Sequence, residues 1–366
     1  MGYFFGLLKS IDRWLLILPL FFAAISLTMI ASITYGGGFP SREMAVQIAA
    51  YVIGFLVLGL MLLFDYKSFE KLEKFLYAGS ILLLLTVYTG IGVTHYSSRA
   101  WINLGVTEMQ PSELVKISFV LMFAGYLTRR QESLLNFRGV LLSALYASPF
   151  LLLIIKEDLG NGVVMCCICV GMVFYADIDG KLFARIAAVF FISVPVVYRF
   201  MAPHQKQRID AFLHPDNFSI STNYHVWQSK VAIGSGGLFG KGLFSGTQKE
   251  LNYLPVQQSD FIFAVIAEEL GFVGGAAVIF LYAVFLTRVW RITSRAKDLY
   301  GALIAVGFLS MFGFQIFENI AMTMGLMPVT GITLPFISAG GSSILANMIA
   351  LGLILNVGIR SKVINF

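Results

Sequence analysis

Apolar residues in this chain fall into long, near-continuous runs, with the polar residues gathered into short stretches between them. A run of about 20 apolar residues covers a hydrocarbon core of about 30 Å as a helix. Ten such spans are predicted: Trp14 to Ile33, Met44 to Phe64, Leu76 to Val93, Glu113 to Thr128, Gly139 to Ile155, Leu159 to Ala176, Leu182 to Phe200, Phe261 to Thr287, Leu299 to Met322 and Ser343 to Ile359. The fourth carries Glu113 and Lys116 in its first turn, and the seventh contains Arg185 and Pro195. The first is too long for a signal-peptide core and has no evident cleavage site after it, so it is expected to stay as an anchor.

Composition agrees. Of 366 residues, 58% are hydrophobic and only 13% charged, and the mean hydropathy is +0.81. Soluble domains carry about 25% charged residues. The expected fold class is an all-α polytopic membrane protein of ten transmembrane helices, residues 1–366 forming a single integral membrane domain. The 33 Phe and 15 Tyr exclude a disordered chain. A net charge of +6 does not indicate nucleic acid, because the Lys and Arg lie in short runs between spans instead of on one face. Cys166, Cys167 and Cys169 share one apolar stretch without a matching pair elsewhere, and read as small lipid-buried residues.

Sixteen of the 26 Lys and Arg fall on one set of loops. By the positive-inside rule, both termini are then cytoplasmic and segment 201–260 is a large extracytoplasmic loop between the seventh and eighth spans. Structureless loops of that length are uncommon. With Tyr224, Trp227 and Tyr253 it does not have a disordered composition. No internal repeat suggests an inverted-repeat transporter.

Ionisable groups within spans cost about 2.5 to 3.5 kcal/mol each on insertion scales and so mark candidate sites. Glu113 and Lys116 share a helical face, Asp260 begins the eighth span with Glu268 and Glu269 about two turns deeper, and Glu318 lies near the outer end of the ninth. All belong to the outer half of the membrane, which suggests one outward-facing polar cavity. Plainer readings stand beside this. Glu113 with Lys116 also reads as an interfacial ion pair behind Pro111, and Asp260 as a helix cap. Glu268 and Glu269 point about 100 degrees apart, so one can pair with a cation while the other supports packing. The run Gly234 to Gly242 fails the phosphate-loop and dinucleotide patterns and reads first as tight turns, its amides retaining the capacity to cradle phosphate.

Several stretches together resemble the SEDS family (shape, elongation, division and sporulation proteins). They are Ser98-Arg-Ala-Trp-Ile-Asn-Leu-Gly105, Gln110-Pro-Ser-Glu-Leu-Val-Lys116, Asp158-Leu-Gly160, Tyr224-His-Val-Trp-Gln-Ser-Lys-Val-Ala-Ile-Gly-Ser-Gly-Gly237, Gly246-Thr-Gln248, Leu254-Pro255, Ser259-Asp-Phe-Ile-Phe-Ala-Val265 and Pro328 to Ser343. Val256-Gln-Gln258 and Ala339 depart from the family's usual residues. The resemblance implies a peptidoglycan glycosyltransferase that polymerises lipid II at the outer face of the membrane, with Asp260 as the essential aspartate and Glu113 and Lys116 as a conserved polar pair. Arg99 and Trp101 match an outer-loop motif. With Gln228, Ser229, Lys230, Lys241 and Glu268, they are the expected substrate-binding residues. A class B penicillin-binding protein is the implied partner, and the lack of long tails favours the elongation type over the division or sporulation types.

Joining two lipid-linked sugars requires a base for the attacking hydroxyl and cations for the departing diphosphate. Asp260 is the expected general base. Lys116, Arg99, Lys230 and Lys241 are the candidate cations, with Glu113 orienting Lys116. The sequence establishes no cofactor and leaves a divalent ion such as Mg or Mn open, since Asp260 and diphosphate oxygens would both suit it. The anomeric change that the resemblance implies makes the displacement inverting. A flippase would extend its polar groups into the cytoplasmic half, and a pure scaffold would leave the clustered charges unexplained.

Overall fold

The computed structural model describes residues 11–34, 41–95, 98–103, 105, 108–217, 221–247 and 256–362. Both predicted cytoplasmic termini, with Lys9, and Leu104, Gln248, Tyr253, Leu254 and Pro255 lie outside the described residues.

The apolar runs fold as helices, several of them begun by a polar residue just ahead. Helix α1 (Arg13–Ile33) is capped by Asp12, which accepts from the Trp14 amide at 3.0 Å, and α2 (Arg42–Leu63) by Ser41. Helix α3 (Glu73–Leu85) has only 13 residues and is extended by 3-10 turns at Tyr66–Leu72 and Thr86–Tyr88. After the bundle's two following helices, α4 (Pro111–Arg129) and α5 (Phe137–Glu157), come α6 (Leu159–Tyr175) and α7 (Gly180–Phe200). The region between predicted spans seven and eight contains α8 (Pro203–Leu213) and α9 (Ser221–Ser235). Helices α10 (Ile262–Thr293), α11 (Leu299–Thr323) and α12 (Gly341–Lys362) complete the chain.

Six of these helices, α1, α2, α5, α10, α11 and α12, are long and apolar enough to cross a membrane. The chain is a multi-pass membrane protein. The other predicted spans are shorter or more polar, for identifiable reasons. Helix α6 has 17 residues, α7 carries Lys181 and Arg185, and α4 is packed inside the bundle with Glu113 and Lys116 buried. A helix surrounded by protein need not be apolar all round.

The all-α expectation needs one addition. Between α3 and α4 a small antiparallel sheet is formed by β1 (Gly92–His95), β2 (Ser98–Asn103) and β3 (Glu108–Met109) in the order β1-β2-β3. It takes in Gly92 and Val93, assigned above to the third span. Trp101 pairs with Val93 and Ile102 with Met109. The sheet is held by its neighbour: the Ser98 hydroxyl donates to the Glu157 carbonyl at 2.5 Å, and the Arg99 amide to Glu157 Oε2 at 3.2 Å.

Helix packing relies on close approach. A Cβ on Gly54 would lie 2.7 Å from Met348 Cγ, and one on Gly352 2.8 Å from Met61 Cβ, so α2 and α12 meet along small residues. An aromatic group of Phe22, Tyr282, Phe285, Phe312 and Phe336 fills the centre. The cysteines of α6 are free and partly buried.

Candidate functional site

Two helix starts and one irregular segment build the centre of the site. At the start of α4, Lys116 Nζ donates to Glu113 Oε1 at 2.8 Å and to Asn161 Oδ1 at 2.7 Å, with the Lys116 side chain fully buried. Asn161 in turn donates its side-chain amide to Asp158 Oδ2 at 2.8 Å and its backbone amide to Oδ1 at 3.0 Å. Gln110 donates to the same Asp158 Oδ2 at 2.6 Å. Asp158 therefore caps α6 while joining α4 to it, and the buried i, i+3 pair belongs to a chain of five polar side chains, of which Gln110 and Asp158 are half-buried, rather than to an interfacial ion pair. A buried pair of this kind stands only when its remaining donors and acceptors are satisfied.

The segment 324–340 is the second component. It is not regular helix, yet Ile332, Leu334, Phe336 and Ile337 are buried. Non-helical backbone inside a bundle requires side chains to satisfy its polar groups, and these come from distant positions. Asn319 donates to the Ile332 carbonyl at 2.7 Å and the Asp260 carbonyl at 3.1 Å, Tyr282 to the Pro335 carbonyl at 2.5 Å, and Tyr51 to the Phe336 carbonyl. Gln47 donates to the Ser338 carbonyl at 3.1 Å and accepts from the Gly340 amide at 3.1 Å. These bonds hold Phe336 at φ +64°, unusual for a non-glycine residue. The two departures from the family pattern meet here, the Ala339 amide donating to the Gln258 carbonyl at 2.8 Å.

Asp260 lies in the turn before α10, half-buried between these components. The Ser259 hydroxyl donates to its Oδ1 at 2.9 Å. Its Oδ2 would lie 3.5 Å from a Cβ on Gly331, whose φ is +78°, and Arg208 Nη1 would lie 3.9 Å from the same point. Arg208 Nη1 itself donates to the Thr330 carbonyl at 2.7 Å. Burial pushes the Asp260 carboxyl up to about 6, with Ser259 and Arg208 opposing the rise and Asp158 adding to it. Glu318, fully buried, accepts from the Thr330 hydroxyl, and its second oxygen has no hydrogen-bond partner among the described residues. Asp260, Asp158, Glu318 and Arg208 thus form one electrostatic neighbourhood.

Other candidates are held elsewhere. Lys241 Nζ donates to Glu268 Oε1 at 2.7 Å and to the Thr247 hydroxyl at 2.6 Å. The Gly-rich turns lie against α10 where Gly271 (φ +67°) interrupts the helix: amides of Lys241 and Gly242 donate to the carbonyls of Glu268 and Glu269, each at 3.0 Å. Amides used in this way are not directed at a phosphate. Ser32 donates to Glu269 at 2.5 Å, so the adjacent acids do separate into one partnered by a cation and one by the α1 terminus. Gln228 donates to Tyr224 at 2.8 Å and Ser229 to the Thr323 carbonyl at 2.8 Å, which positions α9 on α11. Arg99 Nη2 donates to the Thr89 carbonyl at 2.8 Å, and Trp101 stays within β2. Lys230 crosses Gly325, where a Cβ would come within 2.6 Å of its Nζ. Among the described residues, no three His, Cys, Asp or Glu are grouped to hold a metal ion.

The sequence reading did not select Arg208, and it named Asp158 only within a motif. One signal was available: Arg208 has no acidic residue three or four positions away on its helix, whereas Lys206 has Asp210.

The family model of the FtsW, RodA and SpoVE cell cycle proteins matches residues 8–363. Stage V sporulation protein E of Bacillus subtilis is 39% identical over 318 residues, 85% of this chain and 85% of that protein. Peptidoglycan glycosyltransferase MrdB of Escherichia coli is 33% identical over 322 residues, 87% of this chain and 86% of that one. A chain from a peptidoglycan synthase complex that coordinates polymerization and crosslinking superposes with a TM-score of 0.80 at 28% identity, covering 96% of this chain and 99% of the other. A mutant of the rod shape determining protein RodA of Thermus thermophilus gives 0.72 at 27% identity, covering 97% and 99%. The chain belongs to the FtsW/RodA/SpoVE family.

Proposed function

We propose, from this family membership, that the protein is a peptidoglycan glycosyltransferase that polymerises lipid II by one inverting displacement. The observation that carries the reading is the Asp260 carboxyl, half-buried and raised to about 6 beside an arginine, in a setting suited to accept a proton near neutral pH. Asp260 would take the proton of the attacking sugar hydroxyl. The chain Glu113, Lys116, Asn161, Asp158 would fix the starts of α4 and α6 around it, making Lys116 and Glu113 positioning residues with Asp158 as their link to the carboxylate. Arg99 and Trp101 would line the approach on the sheet, and Gln228 and Ser229 would set α9 in place. Lys241 and Glu268 act as a latch that joins the Gly-rich turns to α10.

The same reading gives ten crossings. The starts of α4, α6, α10 and α12 gather at one end with the ends of α1, α5 and α11, as alternating passes require. Residues 201–260 would then be extracytoplasmic within one membrane-embedded domain, the termini cytoplasmic and the membrane the bacterial inner one. The likeness to a rod shape determining protein supports an elongation role, the 39% identity to a sporulation protein supports the sporulation alternative, and the likeness to a synthase complex favours a class B penicillin-binding protein as partner. A flippase is disfavoured by the aromatic group of Phe22, Phe312 and Phe336 in the bundle centre.

The test is purified protein, with and without that partner, incubated with lipid II beside Asp260→Ala and Lys116→Ala. Glycan from the native chain and none from either variant is expected. A folded native complex that makes no glycan overturns the reading.

A further inference from the structure

A cavity of about 350 Å³ opens between α8, α9 and the start of the 324–340 segment. Its charged lining side chains are Arg208, Lys230 and Asp216, so cations outnumber acids. Among the described residues neither cation has a carboxylate within ion-pair distance. This differs from Lys241, Lys116 and Lys67, each paired at 2.7 or 2.8 Å. Two cations that line one cavity without carboxylate partners repel each other, and an anion bound between them offsets that repulsion.

The position is built rather than incidental. Gly325 has φ +70°, and a Cβ there would meet Lys230 Cε at 2.4 Å, so the backbone leaves room for the lysine to reach across. Arg208 is fixed by its bond to the Thr330 carbonyl, leaving other guanidinium N–H groups for a ligand. The wall is apolar beside the charges, with Phe212, Trp227 and Met327, and Trp227 offers a half-exposed ring. Arg208 also stands next to Asp260 across Gly331, so the cavity and the carboxylate share one residue at their junction.

We propose that this cavity seats the diphosphate of a polyprenyl-linked sugar, held by Arg208 and Lys230, with the sugar against Trp227. The assignment rests on the polymerase reading for the nature of the ligand. Both the chain that donates a sugar and the one that accepts it carry such a diphosphate, and the two sources give different kinetics. A seat for the acceptor makes Lys230→Gln raise the KM for lipid II. A seat for the growing donor leaves KM in place and shortens the glycan chains by promoting their release.

The direct test does not need turnover. Full-length protein in detergent is titrated with inorganic pyrophosphate and followed by tryptophan fluorescence, with Trp227→Phe identifying which ring reports. Saturable binding is expected, weakened about tenfold in Arg208→Gln and in Lys230→Gln, and largely retained in Arg208→Lys, which also controls for folding. Pyrophosphate binding that is equal in the native protein and both Gln variants overturns the seat, even if the protein makes glycan. Binding lost in the variants of a protein that makes no glycan leaves the seat standing and removes the polymerase reading instead.

Discussion

Two carboxylate and cation pairings near the start of α10 use the same residue types in opposite ways. Glu268 and Lys241 are in contact at 2.7 Å, Thr247 bridges them, and the flanking amides are bonded to helix carbonyls. Asp260 and Arg208, by contrast, do not form an ion pair: the arginine bonds to a backbone carbonyl and the carboxylate to a serine hydroxyl, with Gly331 between them. In the first arrangement the lysine and the carboxylate are engaged with each other, and both flanking amides are taken up by the helix. The second keeps an acceptor and several donors available beside a cavity, and that availability, rather than charge alone, is what suits it to the proposed chemistry.

The largest effect that can break this contrast is Asp260→Asn. The amide retains the acceptor for Ser259 and about the same volume but cannot take a proton. Polymerisation is expected to fall about a thousandfold, within the range that a general base supplies, while the melting temperature stays near native. Near-normal glycan synthesis by the folded variant would remove Asp260 from the chemistry.

The latch predicts the reverse pattern. Lys241→Met leaves Glu268, whose side chain is fully buried, without its cation. Losing one partner of a buried pair costs about 3 kcal/mol, so stability in denaturant should drop, and adding Glu268→Gln should restore part of it. If stability holds and the KM for lipid II rises instead, Lys241 belongs to the substrate after all.

Much of this was legible in the sequence, and the omissions have a common cause. Apolar runs locate helices because burial along a whole span is a local property, which is why the predicted Leu299 to Met322 span and the observed α11 nearly coincide. Glu113, Lys116 and Asp260 stand out in the sequence because charges in or beside apolar runs are costly. The 324–340 segment was visible only through its family resemblance, since its backbone is held by Gln47, Tyr51, Tyr282 and Asn319 from other helices. Arg208 sits in a polar run where any cation looks solvated, and only the fold brings it to Asp260. Lys241 shows the same limit: a lysine among glycines suggests phosphate, and the carboxylate it contacts is 27 residues further on.

A moderate effect is expected from Gly331→Ala. At φ +78° an alanine costs about 1 to 2 kcal/mol per residue, and its methyl would fill the space between Asp260 Oδ2 and Arg208 Nη1. Activity should fall about tenfold with lipid II binding less affected. A variant as active as native would show that the gap between the two groups has no part in the reaction.

The smallest effect is also the most specific to the open pair. A general base works only when ionised, so glycan synthesis should rise with pH through about 6, the value to which burial pushes Asp260. The groups facing it are Ser259, Arg208, Asp158 and Glu318. Arg208 favours the charged carboxylate, so Arg208→Gln should move the acid limb of the profile to higher pH. Asp158 repels it, so Asp158→Asn should move the limb to lower pH. Opposite displacements by two neighbours require a titrating group between them, which a purely structural disturbance does not produce. Displacements of the same sign in both variants would assign the limb to another group and reduce Asp260 to the helix cap that its position also suits.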